Sequence, residues 1–235
     1  MKRSEINLAI LTAKEVLAKH SFHLPPFAHM TPADWQSIGT EYRRIIENRL
    51  GWDITDFGGN DFHNFGAVLF TLRNGNYLNA ANGTPYAEKI IILEPGQRLP
   101  LHFHWSKTED IINRGGGILT MELYNATEDS KVDSVSNVVV FCDGMEKVVK
   151  PGEVFDIGQG GSITLTPGLY HRFWANREGG ILICGEVSTV NDDVTDNYFA
   201  EPVRRFADIE EDEEPVHLLC NEYLKGKKED GCTNG

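Results

Sequence analysis

The residues able to do chemistry concentrate in two short runs. In GQRLPLHFHWSKTE (96–109), His102 and His104 are two residues apart and Glu109 follows five residues later. Residues i and i+2 of a strand share a face, so both imidazoles point one way and Phe103 the other. In TPGLYHRFWAN (166–176), His171 follows a Pro-Gly turn and shares a strand face with Leu169 and Phe173. Three imidazoles and one carboxylate make an N3O ligand set that leaves positions open on a six-coordinate ion. A lone histidine among aromatics is ordinarily a satisfied core residue, and Phe103, Trp105, Phe173 and Trp174 read as packing. Burying unpaired imidazoles and a carboxylate, however, costs several kcal/mol. One shared cation would partner His102, His104, Glu109 and His171 at once. The remaining histidines (His20, His23, His29, His63 and His217) have no such spacing.

Positioning these groups requires strands. After Gly66, short runs rich in Val, Ile, Leu and Phe recur between Gly, Asn, Pro and Asp: 67–73, 86–93, 99–105, 117–124, 136–141, 146–149, 162–166, 170–175 and 180–188. That pattern predicts an all-β sandwich or barrel. Before it, Ser4 reads as the N-cap of an amphipathic helix carrying Ile6, Ile10, Ala13, Val16 and Leu17, stopped by Pro25-Pro26. Thr31 with Pro32 starts a second helix, with Trp35, Ile38, Tyr42, Ile45 and Ile46 as its stripe. Residues 51–66 read as a packed connecting loop, and Gly115-Gly116-Gly117 as a tight turn. The expected organisation is one domain over 1–223: a helical part at 4–50, a barrel core at about 66–190 and an extension at 191–223. The acidic run 208–214 reads as a solvated loop and 224–235 as a disordered tail.

The chain has 235 residues, 22 Lys+Arg and 35 Asp+Glu, a formal charge of −13. That balance argues against nucleic acid, which needs clustered basic residues. No run is long and apolar enough for a membrane span, and the N-terminus lacks a signal-peptide pattern. Cys142, Cys184, Cys220 and Cys232 form no C-x-x-C pair, pointing to reduced thiols and a cytoplasmic setting.

Gly96 to Gly116 matches the first cupin motif, G-x5-H-x-H-x4-E-x6-G, and Gly161, Pro167 and His171 match the second more loosely, with Asn176 one residue late. This resemblance implies a double-stranded β-helix (jelly-roll) barrel holding an ion. The segments HLPPFA (23–28), LGWDITDFG (50–58), LFTLRNG (69–75), YAEKI (86–90), HFHWSKTEDIINRGGG (102–117), LTPGLYHRFWA (165–175), GEVSTVNDD (185–193) and LCNEY (219–223) further resemble the bacterial D-lyxose isomerase family. The resemblance implies interconversion of D-lyxose with D-xylulose and, more slowly, D-mannose with D-fructose. It also implies a divalent metal, usually Mn²⁺, and a homodimer. The ligand set by itself does not choose the metal and also admits Zn, Fe, Co or Ni.

Aldose–ketose isomerisation needs a Lewis acid, a base that moves one proton between adjacent carbons, and donors for the sugar oxygens. Glu186 is the candidate base: in CGEVS it shares a face with Cys184 and Ser188, and desolvation inside a barrel would suit it to that role. Glu109 is the second candidate for the proton. Lys89 interrupts an apolar strand and could face the enediolate or a hydroxyl. Asp192, Asp193, Arg204 and Arg205 are weaker candidates for sugar hydroxyls. Scarce basic residues near the motifs, and no phosphate loop after Gly115, favour a free sugar. An Fe(II)-dependent cupin dioxygenase and a non-catalytic sugar-binding or regulatory cupin use the same ligand set. Oxygen uptake, or ligand stabilisation without turnover, would mark them.

Overall fold

Runs of β-branched residues cut by Gly, Asn and Pro become strands through the middle of the chain, as their alternation demands. The computed structural model describes residues 1–79 and 81–223; the expected tail at 224–235 and Cys232 lie outside the described residues. Strands β1 (Gly51–Thr55), β2 (Ala67–Gly75), β3 (Gly83–Leu93), β4 (His102–His104), β5 (Glu109–Gly115), β6 (Leu119–Ala126) and β7 (Val132–Asp133) form the first half. The second half has β8 (Val138–Cys142), β9 (Met145–Val149), β10 (Val154–Ile157), β11 (Ser162–Leu165), β12 (Leu169–Ala175), β13 (Leu182–Thr189) and β14 (Asn197–Phe199). They build an eight-stranded sheet ordered β1-β2-β3-β13-β5-β11-β8-β9 and a second sheet ordered β10-β6-β12-β4-β14. Every paired neighbour in both sheets is antiparallel. The inner faces meet in one apolar core, with Leu69, Ile91, Ile111 and Ile163 from the first sheet against Met121, Leu123, Leu169 and Phe173 from the second. The result is the cupin barrel of two curled sheets.

Period-two alternation buries both faces of the sheet where β1, β2, β3 and β13 lie under the N-terminal helix, while β8 and β9 at the other edge keep one face exposed. Ile91 points into the barrel, while Ile90 and Ile92 point out and pack with Val68, Phe70 and Ile183 under helix α1 (Arg3–Lys19). That helix contributes Ile6, Ile10, Ala13 and Leu17, all at most 1 % exposed.

The structure corrects several local expectations. Ser4 is not the cap of α1: Lys2 is, without a side-chain bond, and the Ser4 amide and hydroxyl both donate to Asp212 (2.9 and 2.7 Å). Helix α1 ends at Lys19, before the two prolines. The Thr31 cap is real, with a reciprocal box to Asp34, but the expected second helix breaks into α2 (Pro32–Gln36), a 3₁₀ turn (Thr40–Tyr42) and α3 (Arg43–Glu47). Its break falls at Gly39, whose backbone is extended. Residues 51–55 form β1, so the expected loop at 51–66 begins as a strand. Strands β5, β7, β10 and β14 were absent from the expected set, and the strand expected at 99–105 shrinks to three residues.

The acids of the 208–214 run are exposed, as expected, yet several of them also bond to α1. Arg3, 1 % exposed, bonds Glu211 at 2.7 Å and Glu222 at 2.6 Å, and the Asn7 amide donates to Glu213 at 2.7 Å. The C-terminal strap is thus sewn to α1 by charge-assisted bonds. Further along it, buried His217 donates from Nδ1 to the Met30 carbonyl (2.8 Å), and its Nε2 faces the Lys14 ammonium at 3.0 Å. Burial, Lys14 and His29 together push the His217 pKa down, against the opposing pull of the Met30 bond. A histidine depressed in the folded state binds its proton more readily when unfolded, so its contribution to stability holds above about pH 6.5 and is lost as pH falls. We expect urea midpoints to fall between pH 7.5 and 5.5, and His217→Asn to flatten part of that slope. An unchanged slope in the variant would contradict this account.

Candidate active site

The barrel brings the two sequence runs together from opposite sheets. His171 on β12 and His102 on β4 are directly paired across the second sheet, and His104 pairs with Asn197 on β14. All three imidazoles are buried, and one nitrogen from each lies within 4.8 Å of the others. The first sheet supplies the other wall: Glu109 on β5, Glu186 on β13 and Lys89 on β3, with Lys89 directly opposite Glu186. Phe103 turns away as alternation requires, into a cluster with Trp105, Tyr170 and Tyr198. Trp105, expected in the core, is 53 % exposed at that cluster's rim.

Backbone bonds set the tautomers of two imidazoles. His102 Nδ1 faces the Pro100 carbonyl and His171 Nδ1 the Leu169 carbonyl, each at 2.9 Å. A carbonyl only accepts, so Nδ1 carries the proton and Nε2 keeps its lone pair, the usual preparation for ligation. Nε2 of His104 and of His171 lie 3.2 and 3.1 Å from Glu109 Oε1, yet neither makes a directed hydrogen bond. Burial, then the neighbouring imidazoles, hold the His102 pKa well below its usual value; burial and Lys107 lower that of His104. Burial would raise the Glu109 pKa, but Lys107 and His104 pull it well below the ordinary range. Buried ring nitrogens of His104 and His171 without hydrogen-bond partners, beside an ionised carboxylate, are the donor set a divalent cation takes. The histidine triad is therefore able to hold a metal ion.

Lys107 is the residue that spacing did not single out. Its ammonium sits 2.7 Å from Glu109 Oε2, 3.0 Å from Glu186 Oε1 and 3.3 Å from Asn191 Oδ1, fully inside the barrel. Burial opposes its charge, and Glu109 and Glu186 outweigh that and raise its pKa. Glu186 is buried inside the barrel as expected (5 % exposed), but it is paired, since Lys107 and Lys89 (3.4 Å) flank it. Asp193 faces the same cavity between Lys89 (3.5 Å) and Arg205 (3.4 Å).

Two expected contacts fail. Asp192 turns back to accept from the Val194 amide (3.0 Å) and the Thr195 hydroxyl (2.7 Å), which caps its own turn. Arg204 pairs with Asp208 at the surface, while its neighbour Arg205 lines the cavity. Adjacent residues of an extended chain point opposite ways, so only one of Arg204 and Arg205 can enter. Asp196, also unanticipated, accepts from the Ser106 amide (2.8 Å), the Ser106 hydroxyl (2.7 Å) and the Lys107 amide (3.2 Å). Nothing in NDDVTDN (191–197) distinguishes that aspartate from its two predecessors.

With this geometry in view, comparison with known proteins is decisive. The sequence profile of D-lyxose isomerase matches residues 1–223. The chain belongs to the D-lyxose isomerase family. It is 45 % identical over 227 residues to the D-lyxose/D-mannose isomerase of Serratia proteamaculans, covering 96 % of this chain and 99 % of that one. It is 46 % identical over 228 residues to the D-lyxose/D-mannose isomerase of Escherichia coli O157:H7, covering 95 % and 98 %. Among solved structures, the L-ribose isomerase of Cellulomonas parahominis aligns with a TM-score of 0.58 at 16 % identity, over 89 % of this chain and 98 % of that one. The Acinetobacter sp. DL28 L-ribose isomerase aligns at 0.55 and 14 %, over 88 % and 98 %. At such identities these two establish the fold alone. For this D-lyxose isomerase family member, chelation should lower the melting temperature, because an ion bound only by the folded state stabilises it. His171→Ala should cut bound metal at least about tenfold and abolish the chelator's effect. Elemental analysis and thermal melts with and without EDTA check both; an equal EDTA shift in wild type and variant would contradict the triad.

Proposed function

We propose that this sugar isomerase interconverts D-lyxose and D-xylulose, and more slowly D-mannose and D-fructose, by proton transfer through a cis-enediol. The observation that carries the proposal is the pairing, across one cavity, of a metal-ready histidine triad with the Lys107-bridged carboxylates Glu109 and Glu186. We assign His102, His104, His171 and Glu109 as ligands of a divalent ion, Mn²⁺ by family resemblance. When bound, the ion supplies Lewis-acid charge for the sugar's carbonyl and hydroxyl oxygens.

The chain's own groups divide the remaining work. Glu186 removes the C2 proton of the aldose; the C–H electron pair becomes the C1=C2 bond and the carbonyl pair moves to O1, which takes the O2 hydroxyl proton and leaves O2 as the oxyanion. The same carboxyl returns its proton to C1, the C1=C2 pair forming the new C–H bond as the O2 oxyanion closes to the ketone. Lys107, 3.0 Å from Glu186, is the ammonium placed to follow charge on O1 and O2. Arg205 Nη1 is buried without a partner, although its other terminal nitrogen bonds Asp53 at 2.6 Å. That idle donor and Asp193 suit the distal sugar hydroxyls, as does Lys89. Phe57, Phe173 and Phe199 line the same cavity and offer apolar walls to the C–H faces. Cys142, Cys184 and Cys220 are unpaired thiols, which supports the cytoplasmic assignment. No described helix is long and apolar enough to cross a membrane.

Metal-loaded protein incubated with D-lyxose should yield D-xylulose; no ketose with any of Mn²⁺, Co²⁺, Ni²⁺, Zn²⁺ or Fe²⁺ would refute the reading. Glu186→Gln should keep the metal and lose about 10²–10⁴-fold in kcat. Full metal with full activity in that variant would move the base to Glu109.

A further inference from the structure

A cleft of about 500 Å³ lies on the outer face of the second sheet, lined by Arg98, Arg172, Trp174 and Arg177 together with Glu122 and Glu178. Its size falls within the usual range for small-molecule sites. It is formed where residues 95–98 run alongside the end of β12: Gly96 donates to the Ala175 carbonyl (2.7 Å), Leu99 to that of Phe173 (3.1 Å), and Arg98 bridges Trp174. Alternation along β12 sends His171 and Phe173 into the barrel and Arg172 and Trp174 out into this cleft.

In a chain of net charge −13, three guanidinium groups in one cleft need a reason. Arg3, Arg43, Arg73, Arg204 and Arg205 are ion-paired to carboxylates, whereas, among the described residues, Arg44, Arg49 and Arg114 are not, and Arg98 lies over the Phe65 ring at 6.0 Å. Among the described residues, Arg98 and Arg177 have no such ion pair. Arg172 does, but it uses Nε on Glu122, and the Tyr124 hydroxyl donates to the same carboxylate. The terminal nitrogens of Arg172 are outside that bond. Gly96 adds a further observation. It has φ +86°, and a Cβ there would come within 3.0 Å of the Arg177 side chain, so a glycine leaves the space this guanidinium occupies.

We propose that this cleft binds a phosphate monoester. Guanidinium forks match phosphate oxygens in bidentate geometry, which a cluster of ammonium groups would not. Trp174 supplies the apolar wall for the carbon skeleton esterified to the phosphate. The site is separate from the sugar cavity, on the opposite face of the strand that carries His171.

Calorimetric titration of the metal-loaded protein at low ionic strength, with inorganic phosphate and with AMP, tests this. Both should bind saturably, AMP the more tightly, and Arg98→Ala/Arg177→Ala should weaken both at least tenfold while isomerase activity without ligand is unchanged. Trp174→Leu should remove the advantage of AMP over phosphate. No saturable binding of either probe up to 10 mM would overturn the proposal. So would equal affinity in the double variant, because the probe would then be bound at the metal centre. Equal binding of AMP and phosphate to the wild type would overturn the role of Trp174.

Discussion

Two carboxylates on neighbouring strands point into the same low-dielectric cavity, and the rest of the site is arranged around that constraint. Glu109 sits opposite Ser188 and Glu186 opposite Ile111, so the two acids are diagonal neighbours on the inner face. Each buried charge costs several kcal/mol unless it is paired, and like charges on one face add to that cost. Lys107 resolves it with a single ammonium bonded to both. The same lysine keeps Glu109 ionised beside the three imidazoles. One cation of the protein's own therefore keeps one acid ionised and holds the other in position.

Lys107 can reach that point because of how the link between β4 and β5 is held. Asp196, from the segment before β14, takes the Ser106 and Lys107 amides and so fixes the turn between the histidine strand and the glutamate strand. Strand β14 then pairs along the free edge of β4. Beyond it, Arg205 is trapped between Asp53 and Asp193, where burial disfavours its charge but the two acids more than restore it. The C-terminal strap continues across α1 through Arg3, Ser4 and Asn7. Residues far from the chemistry in sequence thus close the cavity from outside, and their docking depends on charged groups that composition alone would assign to solvent.

Much of the barrel was legible in advance because strands buried on both sides are long β-branched runs, and 67–75, 83–93 and 182–189 are of that kind. Among the missed strands, 132–133, 154–157 and 197–199 are two to four residues long, too short to show a period, and 109–115 is broken by polar residues. The stripe from Trp35 to Ile46 predicted one helix, but Gly39 interrupts it and the apolar residues pack in pieces around Tyr223 and Cys220. The placement of His102, His104 and His171 together was legible because a two-residue spacing on a strand has a single geometric consequence. Lys107 was not, because it lies on a turn, where no periodicity says which way a side chain points.

The sequence alone determined the type of fold, the histidine triad that converges in it and the inward direction of Glu186, since each follows from local periodicity and residue chemistry. It also carried the family resemblance across residues 1–223. Only the tertiary structure decided which of two adjacent arginines enters the cavity, which of three nearby aspartates secures the β4–β5 turn, and that an exposed acidic run also bonds to a helix. Those outcomes depend on what long-range packing brings opposite each charge. A charge's environment, unlike a strand's period, is set by residues one or two hundred positions away.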